Sequence, residues 1–221
     1  VCSALEDRGH EPVVLDIASS GQVRADVRDG PAVHRAVREF GIESMIHCAA
    51  LVSSPASFDE PFDYASVNVG GTLSVLDAAI GSGVRSFVFV SSAAVYGGGR
   101  MTAVSEGASV DPISPYGDSK AVSERHVVQT AEEAGMGACV LRLFNVAGTW
   151  KGAYDGPENG HVLPALADAV RYGRPFMMNG SDWPTRDGSC IRDYVHVRDV
   201  ARAFVLAVEE TARGSSLGPV N

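Results

Sequence analysis

The chain has 221 residues, of which 45 % are hydrophobic and 20 % charged, as in ordinary globular proteins. Its net charge of −9 and its lack of basic clusters argue against nucleic-acid partners and anionic membrane surfaces. No apolar run is long enough to span a bilayer, and the four scattered cysteines indicate reduced thiols rather than a disulfide set or a metal site.

The first segments predict the adenosine side of a dinucleotide-binding fold. Residues 1–9 fit the later part of a helix, and residues 11–16 fit a strand that closes on Asp16. An acid at that place accepts hydrogen bonds from the adenosine ribose hydroxyls. Since no arginine follows within the next seven residues, we expect NAD to be preferred over NADP.

Strands and helices then alternate without internal repeats. Strands are predicted at 44–48, 87–90 and 138–144 and helices at 31–40, 64–80, 116–135 and 200–209. A further helix is predicted after Val162-Leu163-Pro164 and ends at Tyr172, and a further strand starts at 217. This alternation predicts an α/β fold with a doubly wound parallel sheet. Within it, His47 and the cysteines Cys48 and Cys139 fit buried strand positions, and Asp199 fits a helix cap.

Two polar motifs are predicted to lie at the ligand-binding edge of the sheet. Ser91 and Ser92 end a buried strand, where open α/β sheets bind ligands. Tyr116 and Lys120 are four residues apart, so they share one face of the following helix. Lowering a tyrosine pKa from about 10 to about 7 takes roughly 4 kcal/mol. An ammonium about 5 Å away supplies roughly 3 kcal/mol, and a cationic nicotinamide supplies a similar amount.

These motifs, with Leu141–Gly148 and Asp187–Val197, resemble the extended short-chain dehydrogenase/reductases, and among them the UDP-glucose 4-epimerases. The resemblance implies an NAD-dependent, cytoplasmic, homodimeric isomerase that turns over a UDP-sugar. It implies that Tyr116 takes the 4-hydroxyl proton while C4 passes hydride to NAD. Ser92 hydrogen-bonds the same oxygen, and the keto-sugar then receives hydride on its other face.

The same resemblance assigns the other site residues. The catalytic residues are Ser92, Tyr116 and Lys120, and no metal is implied. The cofactor residues are Asp16, Asp26, Val27, Ala49, Ala50, Asn68, Ser91, Tyr116, Lys120 and Phe144. The substrate residues are Ser92, Tyr116, Asn145, His161 and Arg192. Two alternatives stay open: Asn68 bonds to the backbone instead of the cofactor, and Arg192 pairs with Asp193 instead of the UDP phosphates.

The resemblance also implies that the sequence is a piece of a longer protein. We expect an NAD-binding domain over residues 1–148 without its first strand and glycine loop, and an incomplete substrate-side region over 149–221. The first strand is expected between the strands that end at Asp16 and near Ser91. Without it, the 221 residues are expected to be incompetent for NAD binding and turnover.

Other functions compete with 4-epimerisation of UDP-glucose and UDP-galactose. Epimerases of UDP-pentoses, uronates or N-acetylhexosamines share these motifs. The 4,6-dehydratases need further acids after the strand-end hydroxyl, whereas this chain has Ala93 and Ala94 there. A non-catalytic NAD-binding regulator is possible on the same fold, but the retained Tyr116 and Lys120 argue against it.

Overall fold

The computed structural model describes residues 1–18, 21–98, 103–150, 162–178 and 180–221. Its principal sheet has four parallel strands in the order β3 (Ser44–His47), β4 (Ser86–Ser92), β5 (Gly137–Leu143) and β8 (Leu217–Val220). Two further parallel pairs are β1 (Leu15–Asp16) with β2 (Val23–Arg24), and β6 (Asn145–Ala147) with β7 (Tyr194–His196). The predicted α/β fold with parallel strands is therefore confirmed.

Helices connect these strands. They are α1 (Cys2–Glu6), α2 (Gly30–Glu39), α3 (Ala56–Asp59), α4 (Pro61–Tyr64), α5 (Gly71–Gly81), α6 (Pro115–Ala134), α7 (Val162–Tyr172) and α8 (Val197–Thr211). A π-helical turn, Ala65–Gly70, leads into α5, and a 3₁₀ helix, Ala93–Tyr96, follows β4.

The strand order corrects one expectation. Strand β4 pairs with β3 on one side, Ser44 opposite Ser86, and with β5 on the other, Ser86 opposite Gly137. A further strand therefore cannot lie beside Ser91, and that part of the prediction was wrong. The error arose because chain order does not reveal that β3 lies next to β4. Among the described strands of the principal sheet, β3 and β8 each have a partner on one edge only.

Helix ends follow their local sequence. The Ser114 hydroxyl caps α6 by accepting from the Gly117 N–H at 3.1 Å, and Pro115 suits the first turn. Gly135 ends α6 with a φ of 63°, a left-handed conformation that glycine adopts without strain. The predicted Asp199 cap was wrong, because α8 already begins at Val197. His196 Nδ1 accepts the Arg198 N–H at 3.2 Å, so the imidazole fills the capping role.

The core lies between the principal sheet and its flanking helices. Phe87 and Phe89 of β4, Val140 of β5, Leu76 of α5 and Val127 of α6 are almost completely buried in one cluster. Their burial fixes which faces of α5 and α6 meet the sheet. Helix α6 is thereby held along β4, which places the helix residues predicted to be catalytic beside the end of that strand.

The four cysteines are free thiols. Cys139 is buried in β5 as predicted, whereas Cys48 is exposed, so its predicted packing role was wrong. The reason is its place directly after the last residue of β3, at the open carboxyl edge of the sheet.

The chain forms two compact units, residues 1–143 with 202–221 and residues 144–201. Thus β8 belongs to the same unit as the principal sheet. The functional division at residue 148 stays a prediction. In the described residues, no helix is both long and apolar enough to cross a membrane.

Candidate active site

Ser92, Tyr116 and Lys120 all lie in the first unit. Ser92 is the last residue of β4, and its Oγ accepts the Ala94 N–H at 3.2 Å, which turns the chain into the 3₁₀ helix. Tyr116 is in the first turn of α6 and Lys120 one turn later. The structure therefore brings these three predicted residues onto one strand end and the adjoining helix.

Gly117 permits this close approach. A Cβ at position 117 would lie 2.6 Å from the Ala94 carbonyl oxygen and 3.1 Å from Pro112 Cβ. The first distance is shorter than side chains tolerate and the second is a tight contact, so the first turn of α6 can lie this close to the 3₁₀ helix only with glycine there. The residue next to Tyr116 thus sets how near the tyrosine comes to the strand end.

Lys120 is buried and bonded to β4. Its Nζ donates to the Val90 carbonyl at 2.8 Å and lies 5.0 Å from the centre of the Phe89 ring. Burial lowers the pKa of Lys120 to about 8, while Cys48 and Glu124 act in the opposite direction. The ammonium is therefore fixed by β4 at neutral pH, and Lys120 lies one helical turn after Tyr116.

Tyr116 is packed against a second tyrosine. Its ring meets the Tyr64 ring edge-on, with centroids 6.3 Å apart, and the Tyr64 hydroxyl is anchored to the Ser53 carbonyl at 2.6 Å. Burial raises the pKa of Tyr116 above its usual value, whereas its interaction with Ser92 lowers it. Ionisation at neutral pH therefore requires added positive charge in the site, as the chemistry of the Tyr–Lys pair anticipates.

Asn68 connects the turn after β3 to α6. It is 2 % exposed and lies in the π-helical turn. Its Oδ1 accepts the Leu51 N–H at 2.8 Å, and its Nδ2 donates to the Leu51 carbonyl at 3.0 Å and to Ser119 Oγ at 2.9 Å. The bonds to Leu51 are those expected if Asn68 binds the backbone, which was one of the two alternatives for this residue. Direct contact between Asn68 and the cofactor stays a prediction.

The predicted adenosine residues lie on β1, β2 and the segment after β2. Asp16 is exposed, and its Oδ1 accepts the Ala18 N–H at 2.8 Å. Asp26 pairs with Arg28 at 2.6 Å, and that hydrogen bond holds the pKa of Asp26 below its usual value. Val27 is buried and packs so closely on Gly71 that a Cβ there would lie 2.6 Å from Val27 Cγ2.

The turn after β3 carries Ala49 and Ala50, whose small side chains are exposed and half-buried respectively. Leu51, next along, is held by Asn68, so the position of this turn is fixed. Together with a carboxylate at Asp16, these groups suit the ribose and backbone of a dinucleotide. The residues present therefore fit NAD.

Ser91 differs from its predicted role. Its side chain is 2 % exposed and its hydroxyl donates to Glu124 Oε1, so cofactor contact through Ser91 stays a prediction that this geometry does not favour. Glu124 in turn binds Arg142 with both carboxylate oxygens, and Arg142 Nη1 donates to the Tyr96 hydroxyl at 2.8 Å. Sequence reasoning missed this network. The sequence feature that could have revealed the network is Arg142, because a charged residue inside an otherwise apolar strand needs a buried partner.

Several predicted residues lie in the second unit or outside the described residues. Asn145 opens β6, and its Nδ2 donates to the Asp193 carbonyl at 2.9 Å. Phe144, just before β6, is half-buried. Arg192 is exposed and donates to the Ile191 carbonyl at 3.0 Å, and no ion pair joins it to Asp193. His161 lies outside the described residues.

Comparison with known proteins shows which family the chain belongs to. The family model described as "NAD dependent epimerase/dehydratase family" matches residues 1–221. The chain belongs to this family. The predicted family is thus confirmed, and with it an NAD-dependent enzyme. In the part of this epimerase/dehydratase that is described, no cluster of His, Cys, Asp or Glu side chains could hold a metal ion.

Individual relatives and solved structures agree with this family assignment. The UDP-glucose 4-epimerase of Rhizobium leguminosarum bv. trifolii is 35 % identical over 234 residues, covering 100 % of this chain and 71 % of that protein. The UDP-glucose 4-epimerase from Brucella ovis, crystallised with NAD, has a TM-score of 0.91 at 33 % identity, over 100 % of this chain and 72 % of that one. The enzyme from Stenotrophomonas maltophila, with NAD and formylated UDP-arabinopyranose, scores 0.90 at 31 % identity over the same shares. This family member spans 66–71 % of its curated relatives' lengths.

Proposed function

We propose that this protein interconverts UDP-glucose and UDP-galactose by transient oxidation at C4. The observation that carries the proposal is the arrangement of three residues. Ser92 ends β4, the side chain of Tyr116 in the first turn of α6 interacts with it, and Lys120 of the same helix is bonded to the Val90 carbonyl of β4. Relatives bearing the name UDP-glucose 4-epimerase, and one crystallised with a UDP-pentose derivative, support a UDP-sugar substrate.

Each residue of the set has one task. Tyr116 removes the proton of the sugar 4-hydroxyl and later returns it, which is general base and then general acid catalysis. Ser92 hydrogen-bonds the same oxygen and holds it in front of the tyrosine. Lys120 stabilises the tyrosinate as a buried cation. When bound, NAD would supply the acceptor and donor of the C4 hydride, with Asp16, Ala49 and Ala50 among the residues that hold it.

Elimination is the less favoured chemistry. A 4,6-dehydratase must move a further proton at C5 and protonate the leaving oxygen at C6. Positions 93 and 94, which directly follow Ser92, are alanines in the 3₁₀ helix and carry no ionisable group. A return of hydride to C4 needs no additional acid or base, so epimerisation matches the residues that are present.

The test is product analysis with the purified full-length protein, NAD and UDP-galactose. We expect UDP-glucose, measured by its coupled oxidation, and expect slower turnover of UDP-pentose, UDP-uronate and UDP-N-acetylhexosamine in parallel reactions. A 4-keto-6-deoxy product would replace this proposal with a dehydratase. Bound NAD with no conversion of any of these sugars would favour the non-catalytic NAD-binding regulator.

We also propose that Arg192 and Asn145 bind the nucleotide part of the substrate.

We propose further that the protein is a cytoplasmic homodimer. Exposed apolar side chains on two neighbouring helices, Leu73 and Ile80 of α5 and Val128 of α6, support self-association. Sedimentation equilibrium measures it directly, and a monomer at micromolar concentration would refute the dimer.

A further inference from the structure

Arg24 lies beside the acid predicted to bind the adenosine ribose. In the parallel pair of β1 and β2, Asp16 is aligned with Arg24. Neighbouring strands are about 4.8 Å apart, and aligned residues of parallel strands project from the same face. Arg24 is the eighth residue after Asp16, just beyond the seven that sequence reasoning considered, but it is adjacent across the sheet.

The guanidinium of Arg24 is anchored and unneutralised. Its Nε donates to the Ile17 carbonyl at 3.2 Å, one residue beyond Asp16. In the described part of the chain, no carboxylate lies within 4 Å of Arg24, and its Nη groups donate to no protein acceptor. Arg28 offers a contrast, because Asp26 binds its guanidinium at 2.6 Å. Among the described residues, the two Nη groups of Arg24 therefore have no protein partner, and they belong to the residue aligned with the proposed ribose-binding acid, Asp16.

We propose that Arg24 is a specificity-determining residue that forms a latent site for the 2′-phosphate of NADP, kept unfavourable by the Asp16 carboxylate. The planar guanidinium can donate two parallel hydrogen bonds to phosphate oxygens. Asp16 accepts hydrogen bonds from free ribose hydroxyls but repels a phosphate in their place. Cofactor choice thus rests on the balance of these two side chains. The inference depends on the proposed NAD site and deepens it.

The experiment measures binding, not turnover. Dissociation constants for NAD and NADP, which differ only in the 2′-phosphate, are determined by calorimetry on the full-length protein, for the wild type, Asp16→Asn, Arg24→Ala and the double variant. We expect the wild type to bind NAD at least about tenfold more tightly. Asp16→Asn should tighten NADP binding about tenfold or more, and adding Arg24→Ala should remove most of that gain while changing NAD affinity less than about twofold.

Arg28→Ala is the matched control, because it removes an equal charge nearby that Asp26 already neutralises. It should leave the ratio of the two dissociation constants unchanged. If Asp16→Asn does not fold, as judged by circular dichroism, Arg24→Ala alone should weaken NADP several-fold more than NAD. Equal effects of Arg24→Ala on the two dinucleotides, with NAD binding intact, would overturn this inference alone. A protein that binds neither dinucleotide would overturn the NAD site and this inference with it.

Discussion

Glu124 of α6 and Arg142 of β5 form a buried ion pair, with Arg142 Nη2 2.6 Å from Glu124 Oε2. Their side chains are 7 % and 5 % exposed. Glu124 lies one turn after Lys120 on α6 and also accepts from Ser91, the neighbour of Ser92. The hydrogen bonds to Glu124 raise the pKa of Arg142, so the guanidinium stays charged. The ion pair thus joins α6, which carries Tyr116, to β5, and the Ser91 hydrogen bond joins the same helix to β4, which carries Ser92.

Glu124→Gln should destabilise the fold strongly. It leaves the Arg142 guanidinium buried without its counter-charge, which costs about 3–5 kcal/mol in comparable buried pairs. Urea unfolding measures the loss. The double variant Glu124→Leu/Arg142→Met should recover most of it, because no unpaired charge remains. Exposed Glu132→Gln on the same helix is the control, and a loss in Glu124→Gln no larger than in that control would contradict the finding.

Gly117→Ala should lower kcat without preventing folding. The added Cβ would meet the Ala94 carbonyl oxygen, so α6 must move away from the strand end and carry Tyr116 with it. A displacement approaching 1 Å can cost on the order of 100-fold in rate. Steady-state kinetics check this against Gly107→Ala, whose Cβ would have no heavy atom within 4 Å. Equal kcat values in the two variants would show that the contact does not position the tyrosine.

His47 should make the fold acid-sensitive. It is 4 % exposed, its Nε2 lies 3.0 Å from Thr72 Oγ1, and burial lowers its pKa to about 3. Between that value and the ordinary 6.5, the unfolded chain holds a proton that the folded chain lacks. The free energy of unfolding therefore falls as pH decreases through this window, by up to about 1.4 kcal/mol per pH unit.

His47→Gln, which keeps a donor for Thr72, should reduce that slope by about one proton in urea titrations between pH 4 and pH 6, roughly inside the window. The half-buried His126, replaced by Gln, is the control. An identical pH dependence in the wild type and His47→Gln would mean that His47 does not contribute.

Arg192→Ala should weaken substrate binding if Arg192 holds the UDP phosphates. The guanidinium is exposed and has no ion pair with Asp193, so it is available to an anion. Loss of a bidentate phosphate contact should raise KM for UDP-galactose about tenfold or more and leave NAD content unchanged. Arg186→Ala, at another exposed arginine of the same unit, provides the comparison. A KM equal to that of the Arg186 variant would return Arg192 to a surface role.

Local pattern predicted much of this fold. The apolar run at Phe87–Val90 and the helix containing Tyr116 and Lys120 were found because burial of strands and capping of helices leave signals in a few consecutive residues. The catalytic set was predicted for the same reason, since Ser92 follows a strand and the Tyr–Lys spacing is one helical turn.

What was missed depends on pairing between distant segments. The place of β3 beside β4, the alignment of Arg24 with Asp16 and the bonds of Asn68 to Leu51 and Ser119 arise only when the sheet forms. Periodicity carries no information on which strands become neighbours. The burial of Glu124 with Arg142 belongs to the same class, because neither charge reveals its partner along the chain.

The most direct test of the proposed mechanism is the epimerisation rate of Tyr116→Phe in the full-length protein at saturating UDP-galactose, with bound NAD quantified in the same preparation. The account predicts full NAD content and a kcat reduced by about 100-fold or more, since the ring keeps its contact with Tyr64 but can no longer move the 4-hydroxyl proton. Retention of a substantial fraction of the wild-type kcat, with NAD bound, would contradict it and place the base elsewhere.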